Sequence, residues 1–131
     1  MHISVIRNAY GTSSKGNNVE QELTIKMIDR LKFSISLNSH SANSHLLLAQ
    51  FYNHLYQLKT ESSEINYSEL AEREFKEATY LQPTWELAWA NLTQFYYQNN
   101  DITKMLAALE NSLSLGPFED ETQKIIIPII F

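Results

Sequence analysis

Two similar stretches lie in the second half of the chain: AEREFKEATYLQP, residues 71–83, and MLAALENSLSLGP, residues 105–117. They align without a gap at a distance of 34 residues. The residues that match are Pro83 with Pro117, Leu81 with Leu115, and Phe75 with Leu109. Each stretch places apolar residues on one helix face and ends in a proline, which cannot continue a helix. This pattern indicates an internal repeat built from pairs of helices.

A second correspondence in the sequence has a different spacing. LAQFY at residues 48–52 resembles LTQFY at residues 92–96, which lie 44 residues further along the chain. The ten additional residues fall around the polar run from Lys59 to Glu64. We therefore predict two repeat units, residues 42–85 with a ten-residue insertion and residues 86–119.

The chain as a whole favours helices. Three glycines and three prolines among 131 residues are too few for the turns of an all-β sandwich or barrel. Apolar residues recur at helical spacing in five segments: residues 19–37, a segment from Ser44, and residues 67–81, 85–97 and 102–115. Asn66 stands next to a predicted helix start, and Gly116 at a predicted helix end. We predict an all-α fold of about five helices and a C-terminal partial helix.

The two ends of the chain are less regular. Residues 1–18 contain a long polar run, and we expect them to be a flexible segment before a helical domain over residues 19–131. The apolar tail, residues 125–131, has the place of a further helix, but Pro128 should disrupt it.

The apolar tail has two expected outcomes. Its β-branched side chains would promote association if they were left uncovered. The tail either packs on the helix before it or forms a homodimer through the C-terminal end. In the first case its contacts are Leu106, Leu109 and Leu113.

Several residues fit the tetratricopeptide pattern, in which helix–turn–helix units recur every 34 residues. The second unit supplies Trp89, Leu92, Tyr96 and Pro117, and the first supplies Leu48, Tyr52, Ala71, Phe75, Ala78 and Pro83. The chain therefore resembles tetratricopeptide repeat proteins. The resemblance implies a short right-handed solenoid of antiparallel helix hairpins, in which small residues let helices approach closely. An unrelated helical bundle with coincidental proline spacing is the alternative.

A narrower resemblance covers residues 67–122. LQPTWELAWANL at residues 81–92 and LSLGPFE at residues 113–119 are similar to motifs of the VpsP-like proteins of bacterial exopolysaccharide biosynthesis. This resemblance implies an accessory role in a surface-polysaccharide system. It also implies a membrane anchor in family members, whereas the longest apolar run here is seven residues and a spanning helix needs about 20.

The tetratricopeptide resemblance implies a peptide-binding groove on the concave side of the array. The usual groove positions fall on Asn43, Leu46, Gln50, Asn53 and His54 in one unit, and on Leu87, Ala90, Gln94, Tyr97 and Gln98 in the next. This row is mostly polar and uncharged. It lacks the lysine or arginine that clamps a terminal carboxylate, so amides and an aromatic ring would bind an extended peptide or a glycan.

Catalytic and metal-binding chemistry is not expected. His45 and His54 are nine residues apart and would lie on opposite helix faces, so they cannot share a metal ion. Glu72, Glu74 and Glu77 resemble a solvated helix face. The chain has neither a glycine-rich phosphate loop nor a serine-nucleophile motif. We expect no cofactor and no enzymatic activity.

Charge and cysteine content narrow the partners further. The formal net charge is −5, so the chain lacks the basic excess that binds phosphate backbones, and nucleic acid is not expected as a partner. The absence of cysteine excludes disulfides but does not decide between cytoplasm and periplasm. The leading hypothesis is a non-enzymatic scaffold for a protein partner in surface-polysaccharide assembly. The alternative is a carbohydrate-binding module that uses the same groove.

Overall fold

The structure is a computed structural model that describes residues 13–58, 64–116 and 119–131. Within these ranges the chain forms helices and no strand, which confirms the predicted all-α class. The six helices of this part of the chain are α1 (Ser13–Leu37), α2 (Ala42–Leu58), α3 (Tyr67–Leu81), α4 (Glu86–Gln98), α5 (Ile102–Leu115) and α6 (Asp120–Ile130).

The ends of α3 and α5 agree with the sequence prediction because local chemistry sets them. The side chain of Asn66 accepts a hydrogen bond from the backbone N–H of Glu69 at 3.1 Å. Asp101 caps α5 in the same way through the N–H of Lys104, also at 3.1 Å. Gly116 ends α5 with a φ of 84°, a left-handed value that glycine adopts without steric cost.

We predicted that the first helix starts at residue 19, after a flexible segment. This start is wrong, because α1 begins at Ser13. A helix that is already held by tertiary contacts extends at low cost, since each further residue adds a hydrogen bond. Thr24 and Ile28 of α1 are buried and supply those contacts. The rest of the segment that we expected to be flexible, residues 1–12, lies outside the described residues.

The prediction that Pro128 disrupts the tail is also wrong. Helix α6 runs through Pro128, and the backbone N–H of Phe131 still bonds to the carbonyl of Ile127 at 3.0 Å. Proline costs one intrahelical hydrogen bond here, but the buried side chains of Thr122 and Ile126 hold α6 in the packed structure. Tertiary packing therefore overrides the local penalty.

The tail also packs in a different place from the one expected. Helix α6 contacts α4, whereas Leu106 and Leu113 of α5 remain exposed. The backbone N–H of Glu119 donates to Oε1 of Glu86 at 2.8 Å, which joins the start of α6 to the start of α4. The two helices therefore begin side by side.

Cross-helix contacts give the direction of each helix. His45 contacts Glu74 while Tyr52 stacks on Tyr67, so α2 and α3 are antiparallel. Gln50 bonds to Asn91 while Gln57 bonds to Gln98, so α2 and α4 run in the same direction. Helix α2 is therefore antiparallel to α3 and parallel to α4.

Connections of equal length recur along the chain. Four residues separate α1 from α2, α3 from α4 and α5 from α6. The starts of α2, α4 and α6 are separated by 44 and then 34 residues, and so are the ends of α1, α3 and α5. The helices thus repeat with the two spacings seen in the sequence.

Small residues lie where the helices pack most closely. The side chains of Ala49, Ala71 and Ala78 are fully buried, and Tyr52 and Phe75 are buried beside them. Ala88 and Ala90 of α4 are also fully buried. The burial of Ala71 and Ala78 agrees with the roles predicted for them, because a small side chain lets two helix backbones approach closely.

Replacing Ile126 of α6 with alanine should destabilise the protein strongly, because this residue is only 1% exposed. We expect the free energy of unfolding to fall by about 2 to 5 kcal/mol. Urea denaturation followed by circular dichroism measures it. The matched control is Ile102→Ala, at a side chain that is 52% exposed, which should cost at most about 0.5 kcal/mol. Equal costs for the two variants would contradict the packing of α6.

Candidate functional site

A row of side-chain amides joins the parallel helices α2 and α4. Gln50 donates from Nε2 to Oδ1 of Asn91 at 3.0 Å. Gln57 donates to Oε1 of Gln98 at 3.1 Å, and Asn53 donates to the same oxygen over a longer 3.5 Å. Residues 50, 53 and 57 share a helix face because they are three and seven positions apart. We call Gln50, Asn53, Gln57, Asn91 and Gln98 the amide row.

The predicted groove residues divide between the amide row and its surroundings. Gln50, Asn53 and Gln98 come together as described. Asn43 is exposed at the start of α2, Gln94 is half-buried on α4, and the Tyr97 side chain is 46% exposed beside Gln98 in sequence. His54 bonds instead to Oε2 of Glu20 in α1, at 3.2 Å.

Three apolar positions of the predicted groove have other environments. Leu46 and Ala90 are buried in the core, and Leu87 is half-buried against it. Leu46 and Ala90 cannot line a groove, because packing against neighbouring helices buries their side chains, whereas Leu87 remains partly exposed. The polar members of the predicted set are the ones that reach solvent.

Sequence reasoning missed Asn91 and Gln57. Asn91 is buried, and its Nδ2 donates to the carbonyl of Leu87 at 2.9 Å, which fixes the direction of its oxygen toward Gln50. Gln57 lies seven residues after Gln50, so its place on the same face could have been read from the spacing. Asn91 lacked such a signal, because its neighbours on α4 are apolar.

One acceptor in the amide row lacks a donor. Oδ1 of Asn53 is buried, and within the described residues no group donates to it. A buried polar atom in this state costs about 1 to 3 kcal/mol relative to a paired one.

A second concave surface lies between α3, α4 and α5, with a volume of about 1370 Å³. We call it the charged groove. Its charged lining residues are Glu69, Glu72, Arg73, Lys76, Glu77 and Lys104. At its floor the Tyr96 hydroxyl donates to Oε2 of Glu72 at 2.7 Å, and Nζ of Lys104 lies 3.2 Å from the same oxygen. The contact between Glu72 and Lys104 joins α3 to α5 across the groove.

These contacts change the acidity of both groups. Burial by itself would raise the pKa of the Glu72 carboxyl, but the hydrogen bonds from Tyr96 and Lys104 outweigh it and hold that pKa below the usual value. Burial, reinforced by the Glu72 charge, raises the pKa of the Tyr96 phenol well above 10. At neutral pH Glu72 is therefore ionised and Tyr96 remains a donor.

The lowered pKa of Glu72 should make stability fall in acid. A carboxyl whose pKa is lower in the folded chain stabilises the fold above its unfolded pKa, near 4.5, and loses that contribution as the pH falls. Glu72→Gln should lower the free energy of unfolding at pH 7 by about 1 kcal/mol and flatten its decline below pH 5. Urea denaturation at a series of pH values measures this decline. The exposed Glu110→Gln serves as the control, and an unchanged pH profile in Glu72→Gln would contradict the assignment.

A buried side-chain contact connects α2 and α3 away from both surfaces. Nδ1 of His45 lies 2.5 Å from Oε1 of Glu74, and its Nε2 donates to the carbonyl of Ser39 at 3.0 Å. The expectation that Glu74 belongs to a solvated face is therefore wrong, because the antiparallel pairing turns it inward to His45. These contacts position α2 against α3. They engage both ring nitrogens of His45, so neither is available to react with a solute.

Both tryptophans contact the turn between α3 and α4. Nε1 of Trp89 donates to the carbonyl of Pro83 at 2.8 Å, so its indole closes the junction between α3 and α4. Trp85 caps α4 through its backbone and is half-buried against the core. Both residues hold the turn that sets α4 beside α2.

The part of the chain that the structure describes contains neither a candidate metal cluster nor a membrane-spanning helix. In this part of the chain no three histidine, aspartate or glutamate side chains come together as a metal site would require. None of its helices has a stretch long and apolar enough to cross a bilayer.

Comparison with known proteins gives no family assignment. No protein-family model matches the chain, and no curated protein sequence matches it significantly.

Proposed function

We propose that this chain is a non-enzymatic scaffold that binds an extended segment of a protein partner along the amide row. The observation that carries the proposal is the hydrogen-bonded line of amides between two parallel helices (Gln50 with Asn91, Gln57 with Gln98). Amides offer donors and acceptors together, which suits the alternating N–H and C=O groups of an extended peptide.

Repeat architecture supports this reading. Equal four-residue connections, parallel α2 and α4, and the joined starts of α4 and α6 are the features expected of a tetratricopeptide array. In such an array the first helices of successive units line the concave side, and we assign α2 and α4 to that position. We therefore infer a short solenoid whose inner surface carries the amide row.

The chemistry of the amide row favours a neutral, extended ligand. The described amides carry no charge, so they would not select a terminal carboxylate or a phosphate. The exposed amides of Gln50 and Gln98 offer donors and acceptors to a peptide backbone, and the exposed Tyr97 ring offers a surface for an apolar side chain. A peptide strand presents both kinds of group within a few residues.

An accessory role in bacterial surface-polysaccharide assembly is part of the proposal. It rests on the resemblance of residues 81–92 and 113–119 to VpsP-like proteins. A gene neighbourhood rich in glycosyltransferase and polysaccharide-export genes would support this role, and one without them would count against it.

Carbohydrate binding is the alternative function. Tyr97 is 46% exposed and adjacent to Gln98, and an aromatic face beside amides is a common way to bind a sugar ring. Saturable binding of soluble oligosaccharides that is lost in Tyr97→Ala would favour this alternative.

Selection from a random peptide library displayed on phage tests the peptide-binding proposal. We expect enrichment of a consensus sequence, and a synthetic peptide with that sequence should bind the purified chain measurably in calorimetry. Gln50→Ala combined with Gln98→Ala should weaken its binding about tenfold, since each lost amide contact contributes about 0.5 to 1.5 kcal/mol.

The matched control is Asn111→Ala, which removes an exposed amide from α5, beside the charged groove. It should leave the affinity for the same peptide unchanged. If no sequence is enriched, or if the peptide binds the double variant as tightly as the original chain, the amide row is not the binding site.

A further inference from the structure

The two ring nitrogens of His45 both face oxygen atoms that act as hydrogen-bond acceptors. Nε2 lies 3.0 Å from the backbone carbonyl oxygen of Ser39, and Nδ1 lies 2.5 Å from Oε1 of Glu74. A carbonyl oxygen has no proton to give, so the proton of that hydrogen bond is on Nε2. A neutral imidazole carries a single N–H, which would leave Nδ1 as a bare acceptor against a carboxylate oxygen. A second proton must therefore lie between Nδ1 and Oε1.

Together, His45 and Glu74 thus hold two protons in the folded chain, one on Nε2 and one between Nδ1 and Oε1. The same two kinds of side chain hold fewer protons when they are separated in water. At neutral pH a free histidine has one ring proton and a free glutamate has none, because their ordinary pKa values are about 6.5 and 4.3. Above about pH 6.5, folding therefore takes up one proton at this contact.

Burial makes the shared proton necessary for the contact. The side chains of His45 and Glu74 are 10% and 9% exposed, so little water reaches the space between them. Without the proton, two acceptors would face each other at hydrogen-bond distance in a site that water solvates poorly, and burying such unpaired groups is costly. Loss of the proton would therefore separate His45 from Glu74.

Arg73 is a charged group in direct contact with this pair. Its Nε donates to Oε2 of Glu74 at 3.2 Å, and its side chain is 65% exposed, so solvent screens its charge. This contact occupies the second carboxylate oxygen and leaves Oε1 to His45. Glu77, one turn further along α3, lines the charged groove. Helix α3 therefore presents one carboxylate and one screened cation to His45.

The titratable groups of the other packed elements do not replace Glu74. On α2, Tyr52 lies seven residues after His45, and burial, followed by the charge of Glu74, raises the pKa of its phenol, which stays neutral near pH 7. In the last part of α1 and the turn after it, the titratable side chains are all exposed: Asp29, Arg30, Lys32 and His40. Within the described residues, Glu74 is therefore the group positioned to share a proton with His45.

We propose that this contact makes the α2–α3 hairpin sensitive to pH: His45 and Glu74 join the two helices while a proton is shared between Nδ1 and Oε1, and they separate when rising pH removes it. The same ring also bonds to the turn before α2, through the carbonyl of Ser39, so a movement of His45 would reach that turn. The inference does not depend on what the amide row binds.

The direction of the pH effect follows from the number of bound protons. Between about pH 5 and 6.5 the folded pair and the separated side chains hold two protons each, so this contact adds no pH dependence. Above about pH 6.5 the folded chain binds one proton more than the unfolded chain, so stability falls as the pH rises. The equilibrium constant for unfolding should grow by up to about tenfold per pH unit. Glu72 acts in the opposite direction, since its contribution is lost in acid.

Glu74→Gln tests the proposal because an amide supplies a permanent donor. Its N–H can donate to Nδ1 of a neutral His45 while its oxygen accepts from Arg73, so the contact no longer needs the additional proton. Urea denaturation between pH 6 and pH 8.5 measures the effect. We expect the unmodified chain to lose stability as the pH rises. The ratio of its unfolding constant to that of the variant should grow by up to about tenfold per pH unit.

The matched control is Glu77→Gln, which makes the same chemical change one turn further along α3. It should keep the full decline of stability with rising pH. His40→Gln is a second control, since it removes an exposed histidine from the turn before α2, and it should keep the decline as well. Circular dichroism at pH 6 establishes that each variant is folded.

Nuclear magnetic resonance of the unmodified chain observes the proton itself and does not depend on the folding of Glu74→Gln. At pH 7 we expect a low-field exchangeable proton between Nδ1 of His45 and Glu74, identified by its loss in His45→Gln. A His45 ring with a single proton at pH 7, and none shared with Glu74, would overturn the proposal. A decline of stability in Glu74→Gln as steep as in the unmodified chain would overturn it too.

Discussion

The structure depends on close contact between helices at small side chains. Ala49, Ala71 and Ala78 are fully buried, and the large rings of Phe75 and Phe95 fill the space beside them with their centroids 5.3 Å apart. Where two helices pack against each other at an alanine, the larger side chains next to it on both helices become buried. These side chains supply most of the apolar burial. A larger residue at these positions would separate the helices and open the core.

Close packing of consecutive helices determines which residues face solvent. Because α3 packs against both α2 and α4, the helices on either side of it become parallel neighbours, and their polar faces meet in the amide row. On the other side of the molecule, α4 forms the floor between α3 and α5, where Tyr96 and Lys104 hold the Glu72 carboxylate. One packing arrangement thus creates a neutral surface and a charged one.

Buried polar groups fix the positions of helices relative to one another. The contact of His45 with Glu74 and Ser39 sets α2 against α3 and against the turn that precedes it. Removing one partner of such a pair is costly, because the other is left buried without compensation. Ser112 and Thr122 are also fully buried, and in the described residues their hydroxyl groups have no partner. Their small size suits positions where a helix passes closely, as at Ala78.

Local sequence patterns predict the all-α class, the bounds of α3 and α5, the cap at Asn66 and the two repeat spacings. They succeed because periodicity, caps and helix-ending residues act over a few neighbouring residues. Three features were decided only by tertiary structure: the continuation of α6 through Pro128, the inward turn of Glu74, and the pairing of Asn91 with Gln50. The contacts of Glu74 and Asn91 join residues that are distant in sequence. At Pro128 the burial of α6 outweighs the local cost of proline in a helix. Such energies depend on which surfaces meet, and the residues of one helix do not contain that information.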